Sequence, residues 1–200
     1  MKTSELNSIN QLYFGCEDIA RALAINPASA RVSASRYVRL GLLLRLKRNT
    51  YVLSERWRAA SREERFLLAN LGQAPSYISL LTALDYHEIT TQVQRGLIES
   101  VAVKRTKELS LNGSIFHYTK ISSALYFGFT RQQNFFIATP EKAFLDAVYL
   151  ISFGRYALDL SAIHDEKLNR KEIHRISRNY PLKTRKILEK HGYLGPARSF

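Results

Sequence analysis

From Ile19 to Ser54 the chain carries no acidic residue, yet Arg21, Arg31, Arg36, Arg39, Arg45, Lys47 and Arg48 all fall within that stretch. Its punctuation is that of a helix followed by a hairpin. Asn26 suits an N-cap, and Pro27 suits the first helical position, where a missing N–H costs nothing. Gly41 can take the left-handed conformation that ends a helix. Between them Ala30, Ala34, Tyr37 and Val38 recur at helical spacing as an inner stripe. The opposite face carries Ser29, Val32, Arg36 and Arg39, with Arg31 and Ser33 on its flanks. Two short apolar runs follow, residues 42–46 and Thr50–Leu53, joined by Lys47, Arg48 and Asn49. They read as a β-hairpin with a basic tip.

Residues 17–23 read as a short helix with Glu17 and Asp18 in its first turn, where acids suit the helix dipole. Ala24, Ile25 and Asn26 make a tight turn to the long helix. Helix, turn, helix, then hairpin is the order of a winged helix-turn-helix, whose second helix enters the major groove of double-stranded DNA. The same fold can also serve as a protein-docking module, but an acid-free basic stretch favours DNA.

The whole chain agrees with a polyanionic partner. Its 200 residues have a formal net charge of +13 and a pI of about 10. The charge is uneven: residues 1–75 hold 12 Lys and Arg against 6 Asp and Glu, residues 76–166 hold 8 against 9, and residues 167–200 hold 10 against 2. Both ends are basic and the middle is neutral, as expected of a DNA reader, a neutral core and a second basic surface. With 46% hydrophobic and 24% charged residues the chain is globular. It lacks an apolar run long enough for a membrane span, and the N-terminus leads into polar sequence rather than a signal core. A single cysteine, Cys16, excludes an internal disulfide and fits a reducing cytoplasm, with a packing role for its thiol.

Along the chain, Thr3 or Ser4 can cap a first helix running through Tyr13, with Leu6, Ile9 and Leu12 inward. Residues 54–71 read as one linker helix, with Trp57, Ala60, Phe66, Leu67 and Leu71 apolar. Its Arg56, Arg58, Arg62 and Arg65 can touch phosphates or pair with Glu55, Glu63 and Glu64. Gly72, Gln73, Ala74 and Pro75 mark a boundary. The expected domains are therefore 1–72, DNA-binding, and 73–200, a mixed α/β domain with a helical basic tail over residues 167–198; the fold class is α+β. Within the second domain, Ser79 can cap a helix through Tyr86. A strand follows over residues 99–106, then a hairpin turn at Asn112-Gly113, a strand over Phe135–Ala138, and a helix capped by Thr139 with Pro140 in its first turn. Further helices are expected at residues 170–178 and Leu182–Lys190.

Nothing in the sequence makes a case for catalysis or a cofactor. His87, His117, His164, His174 and His191 show no zinc spacing. Asp165-Glu166-Lys167 has the Asp-x-Lys spacing of some nucleases but sits in a polar stretch and reads as a solvated loop. Glu141, Lys142 and Asp146 read as dipole compensation plus an i, i+4 ion pair. Asp85-Tyr86-His87 reads as a helix end with a hydrogen bond. No metal site, catalytic residue or phosphate-cradling glycine loop is expected.

Three blocks occur in order: Arg39-Leu40-Gly41-Leu42-Leu43 with Tyr51-Val52-Leu53; Pro75-Ser76-Tyr77-Ile78-Ser79 with Ala83-Leu84-Asp85-Tyr86-His87; and Ile137-Ala138-Thr139-Pro140-Glu141-Lys142-Ala143-Phe144-Leu145-Asp146. Together they resemble the AbiEi-type antitoxins of bacterial abortive-infection toxin–antitoxin systems, over roughly residues 10–155. The first block alone is shared by many repressors; the ordered combination carries the resemblance, and the basic tail lies outside it. The resemblance implies a winged helix that represses its own operon at promoter inverted repeats, as part of phage defence. It implies a second domain that counters a nucleotidyltransferase-like toxin without needing a stable complex. By the same resemblance the reading helix, residues 27–40, contributes Ser29, Arg31, Ser33, Arg36 and Arg39, and the wing contributes Lys47, Arg48 and Asn49. The family's wing usually has glycine where this chain has Asn49, and asparagine tolerates the left-handed turn. By side-chain type Arg31 and Arg36 suit guanine edges, while Arg39, Lys47 and Arg48 suit phosphate. About five such contacts give a log–log salt slope of roughly −4 to −5 per protomer. Competing readings are a stand-alone transcription factor with a ligand-sensing second domain, and a nucleic-acid-processing enzyme with a targeting arm.

Overall fold

The chain begins with an apolar cluster that its first 53 residues nearly close by themselves. A computed structural model describes residues 4–195. A 3-10 turn, Ser4–Ser8, buries Leu6 and is followed by irregular, bending chain in which Ile9 is also buried. Phe14 then pairs with Tyr51 through two backbone hydrogen bonds of 3.0 and 2.9 Å. The helix expected through Tyr13 is absent because that pairing needs extended chain; Thr3, the alternative cap, lies outside the described residues. Helix α1, Cys16–Leu23, starts where the Asp18 carboxylate accepts from the Gly15 N–H at 2.9 Å. Ala24 turns the chain at φ +51°, and Asn26 caps α2, Pro27–Arg39, by accepting from the Ser29 N–H at 2.8 Å. Gly41, at φ +71°, ends it. Strands β1, Leu43–Lys47, and β2, Thr50–Leu53, form an antiparallel hairpin. Ile19, Leu23, Ala30, Ala34, Tyr37, Leu43 and Tyr51 share this first core.

The linker expected as one helix is two: α3, Ser54–Ala59, and α4, Arg62–Gly72. Ser61 breaks it, accepting from the Glu64 N–H at 3.2 Å while the Glu64 carboxylate accepts from the Ser61 N–H at 2.8 Å. That reciprocal cap satisfies two end donors that a continuous helix would pair along its axis. Trp57, Phe66, Leu68 and Ala69 pack into the second, larger core. The hairpin contributes to both cores, with Leu43, Tyr51 and Leu53 in the first and Leu46 and Val52 in the second.

The larger part is a six-stranded mixed sheet covered by helices. Its strands are β3, Ser76–Ile78; β4, Leu97–Ala102; β5, Lys107–Leu111; β6, Ser114–Lys120; β7, Phe129–Gln132; and β8, Phe135–Ala138. They lie in the order β5-β6-β4-β3-β8-β7, with β4–β6 and β3–β8 parallel and the other pairs antiparallel. Asn112 and Gly113, at φ +46° and +82°, make the tight β5–β6 turn. Helix α5, Leu80–Tyr86, follows β3, and α6, Pro140–Ser152, follows β8 with Thr139 as its cap, accepting from the Lys142 N–H at 3.3 Å. Helices α7, Arg170–Ser177, and α8, Leu182–Lys190, lie against α6. The fold class is α+β, with eight α-helices and two sheets among the described residues. No described helix is long and apolar enough to cross a membrane.

Candidate nucleic-acid interface

Helix α2 exposes one long face because only Ala30, Ala34 and Tyr37 turn fully inward. Small alanines at the contact let it approach α1 closely, which leaves everything on the far side in solvent. Ser29, Arg31, Val32, Arg36 and Arg39 are all exposed, Val32 at 69%, and Ser33 is half-buried on the flank. The guanidinium groups of Arg31, Arg36 and Arg39 have no hydrogen bond or ion pair among the described residues. Arg48, exposed at the hairpin tip, is equally unengaged. An unpaired, hydrated cation on a rigid element is free to replace phosphate counterions.

The other two tip residues are committed within the protein. The Lys47 ammonium donates to the Leu71 carbonyl at the end of α4, 2.7 Å away. It faces the sheet, close enough that burial, Arg105 and Lys47 together lower the pKa of Lys107. Asn49 does take the left-handed conformation expected of it, φ +54°. Its side-chain oxygen, however, accepts from the Cys16 N–H at 2.9 Å, so it ties the hairpin tip to the start of α1. Residue 15 is glycine at that contact; a Cβ there would stand 3.3 Å from the Asn49 amide nitrogen. Of the eight residues read as an interface, five are exposed with free side chains, Ser33 is half-buried, and Lys47 and Asn49 are structural braces. Both brace contacts run between residues far apart in the chain, which local sequence patterns do not reveal.

Three of the four linker arginines are also occupied. Arg56 donates to the Gln11 carbonyl at 3.0 Å, Arg62 pairs with Asp85 at 2.6 Å, and Arg65 lies 5.0 Å over the Trp57 ring. On the tail, Arg170 pairs with Asp165 and Arg175 with Glu172. Lys171, Arg178, Lys183, Lys186 and Lys190 are exposed. The stretch Asp165–Lys167 is a 3-10 turn whose Lys167 donates to the Glu88 carbonyl at 2.9 Å, and His87 bonds the Ala138 carbonyl at 2.8 Å. Arg198 lies outside the described residues.

The polar cluster that sequence reasoning undervalued is inside α6. Lys142 and Asp146 pair as expected from their spacing, but both are fully buried. Asp146 also accepts from the hydroxyls of Tyr77 at 2.9 Å, Ser79 at 2.9 Å and Tyr180 at 3.0 Å. The Lys142 ammonium donates to the Tyr180 oxygen at 2.7 Å and lies 4.9 Å over the Phe127 ring. Burial pulls the Lys142 pKa down while Asp146 opposes it, and burial with the Asp146 charge holds Tyr77 and Tyr180 well above the usual phenol range. Ser79 is therefore spent on Asp146 rather than on capping α5. The Leu81 N–H at that helix start donates instead to the Glu99 carboxylate at 3.2 Å. The readable signal was composition: Ala143, Phe144, Leu145, Ala147 and Val148 leave α6 no polar face, so its Lys and Asp had to be interior. The buried cluster joins β3, α6 and the segment at Tyr180.

No family profile matches the chain, and no curated protein matches it in sequence. In fold it is similar to a crystal structure of the RV2827C protein from Mycobacterium tuberculosis, with a TM-score of 0.59 and 14% identity, over 91% of this chain and 71% of that one. At that identity the likeness shows the fold alone.

Proposed function

We propose that residues 16–53 are a winged helix-turn-helix and that the chain is a DNA-binding repressor of its own promoter, with α2 in the major groove and Arg48 on the flanking backbone. The observation that carries this reading is the exposed face of α2, where Arg31, Arg36 and Arg39 stand unpaired on a stretch without acids. Arginine reaches both guanine acceptors in that groove, whereas lysine and serine discriminate less. Arg31 and Arg36 read bases, and Arg39 and Arg48 fix register on phosphate. The reading needs no cofactor and no catalytic residue, and it places the protein with its DNA in the cytoplasm.

The larger α+β part acts as an antitoxin domain against a nucleotidyltransferase-like toxin, in the manner of the AbiEi-type antitoxins. Support for this comes from the three ordered motif blocks, the second and third of which fall on β3–α5 and β8–α6. Co-expression tests it: the full chain restores growth to cells expressing the toxin encoded beside it. A promoter bound selectively without any such rescue leaves a repressor and removes the antitoxin.

A further inference from the structure

Between α4 and residues 93–98 lies an open cleft of about 400 Å³, a volume suited to a small organic ligand. Phe66, Leu81 and Ile98 supply apolar wall, and Val93 stands at the rim, 66% exposed. The polar side is asymmetric. Arg62 is committed, its guanidinium bonded to the Asp85 carboxylate at 2.6 Å and 5.3 Å from the Phe66 ring. Arg65, one turn along α4, has no carboxylate partner among the described residues. Its guanidinium rests on Trp57, and its Nε is buried without a hydrogen-bond partner among the described residues. The side-chain oxygen of Gln94, which also lines the cleft, is likewise buried without a partner among the described residues.

A buried polar atom without a partner costs free energy that folding has no reason to spend. Arg65 and Gln94, one with a cationic donor group and one with an acceptor, both line this cleft together with Phe66, Leu81 and Ile98. We propose that this cleft is a binding site for a small organic anion with a flat apolar body. The anionic group sits on Arg65, and an N–H or O–H of the ligand donates to Gln94. The guanidinium fork matches carboxylate and phosphate alike, so aromatic carboxylates and nucleoside monophosphates share the required chemistry. The site is independent of DNA reading by α2.

The chain has one tryptophan, Trp57, and it lies against Arg65, so its fluorescence reports on the cleft. Full-length protein is titrated in one arm with adenosine and guanosine monophosphates, and in the other with 4-hydroxybenzoate and 4-hydroxyphenylacetate. A saturable change of Trp57 emission is expected in one arm, which names the source. Arg65→Gln and Gln94→Leu should each weaken it by about tenfold or more, as loss of a charged or buried hydrogen bond does, while Arg36→Ala titrates like the wild type. Where Arg65→Gln fails to fold, Val93→Asp at the exposed rim sets a carboxylate at the mouth and must also abolish the response. A flat titration in both arms, or a response that survives these substitutions, overturns the proposal.

Discussion

Helices α2 and α6 open in the same way and use their charges in opposite ways. Both are 13 residues long, both have a polar cap followed by proline, and in both the cap side chain accepts from the N–H three residues on. Helix α2 lies on a small first core and buries one stripe, so its arginines keep their water. Helix α6 is packed by α5, α7, α8 and the sheet, so its lysine and aspartate lose theirs and must be paired. Whether a charge is available to a partner is decided by what surrounds the helix, since the local start signal is the same.

Breaking the pair on α6 should have the largest effect. Lys142→Met leaves the Asp146 carboxylate buried with only hydroxyl donors, and should cost about 3–5 kcal/mol in urea unfolding. Arg36→Ala on α2 should stay within about 0.5 kcal/mol by the same measurement. Equal costs would abolish the contrast.

The next effect is one of pH, at Glu99 beside α5. Burial pushes its pKa from 4.5 up to about 7, against hydrogen bonds from Tyr156, Leu81 and Thr82 that pull it down. A carboxyl raised in the folded state binds its proton more tightly there than in the unfolded chain. Its contribution is fully present below pH 4.5 and is lost as pH rises toward 7, a change of about 3 kcal/mol. Glu99→Gln should flatten that part of the stability curve, measured as urea midpoints across the interval; an unchanged slope would show that Glu99 is not the group responsible.

Smaller effects sharpen the shared feature. Asn26→Ala and Thr139→Ala each remove one cap hydrogen bond and should each cost about 1 kcal/mol. Only Asn26→Ala should also weaken DNA binding, because only α2 has its start in the proposed interface. At the hairpin tip Arg48→Ala should reduce the magnitude of the salt slope by about 1, and Lys47→Ala should leave it unchanged. With Arg39 and Arg48 as the phosphate contacts, rather than five such contacts, the expected slope is about −2.

What was legible in the sequence was whatever residue chemistry punctuates. Asn26 with Pro27, Gly41, Asn112 with Gly113, and Thr139 with Pro140 each mark an end that the structure keeps. Ser61 and Glu64 also spell out a capping box, and reading through them merged α3 and α4. Strand β7 was missed because Thr130, Arg131 and Gln132 are exposed on a sheet edge and owe their conformation to pairing with β8. The extended chain at Phe14 likewise depends on Tyr51, a partner remote in sequence. The exposed arginines of α2 could be picked from helical spacing alone. The bracing by Lys47 and Asn49, and the burial of Lys142, needed the tertiary fold.

The most direct test is the affinity of the full chain for its own promoter DNA against a scrambled duplex, at two salt concentrations, for wild type and Arg36→Ala. A base-reading α2 predicts tight, selective binding by the wild type. It also predicts that Arg36→Ala loses about 1–3 kcal/mol on the promoter and little on the scrambled duplex. Equal binding of both duplexes, or an equal loss on both, would contradict it and reduce the face of α2 to a non-selective positive surface.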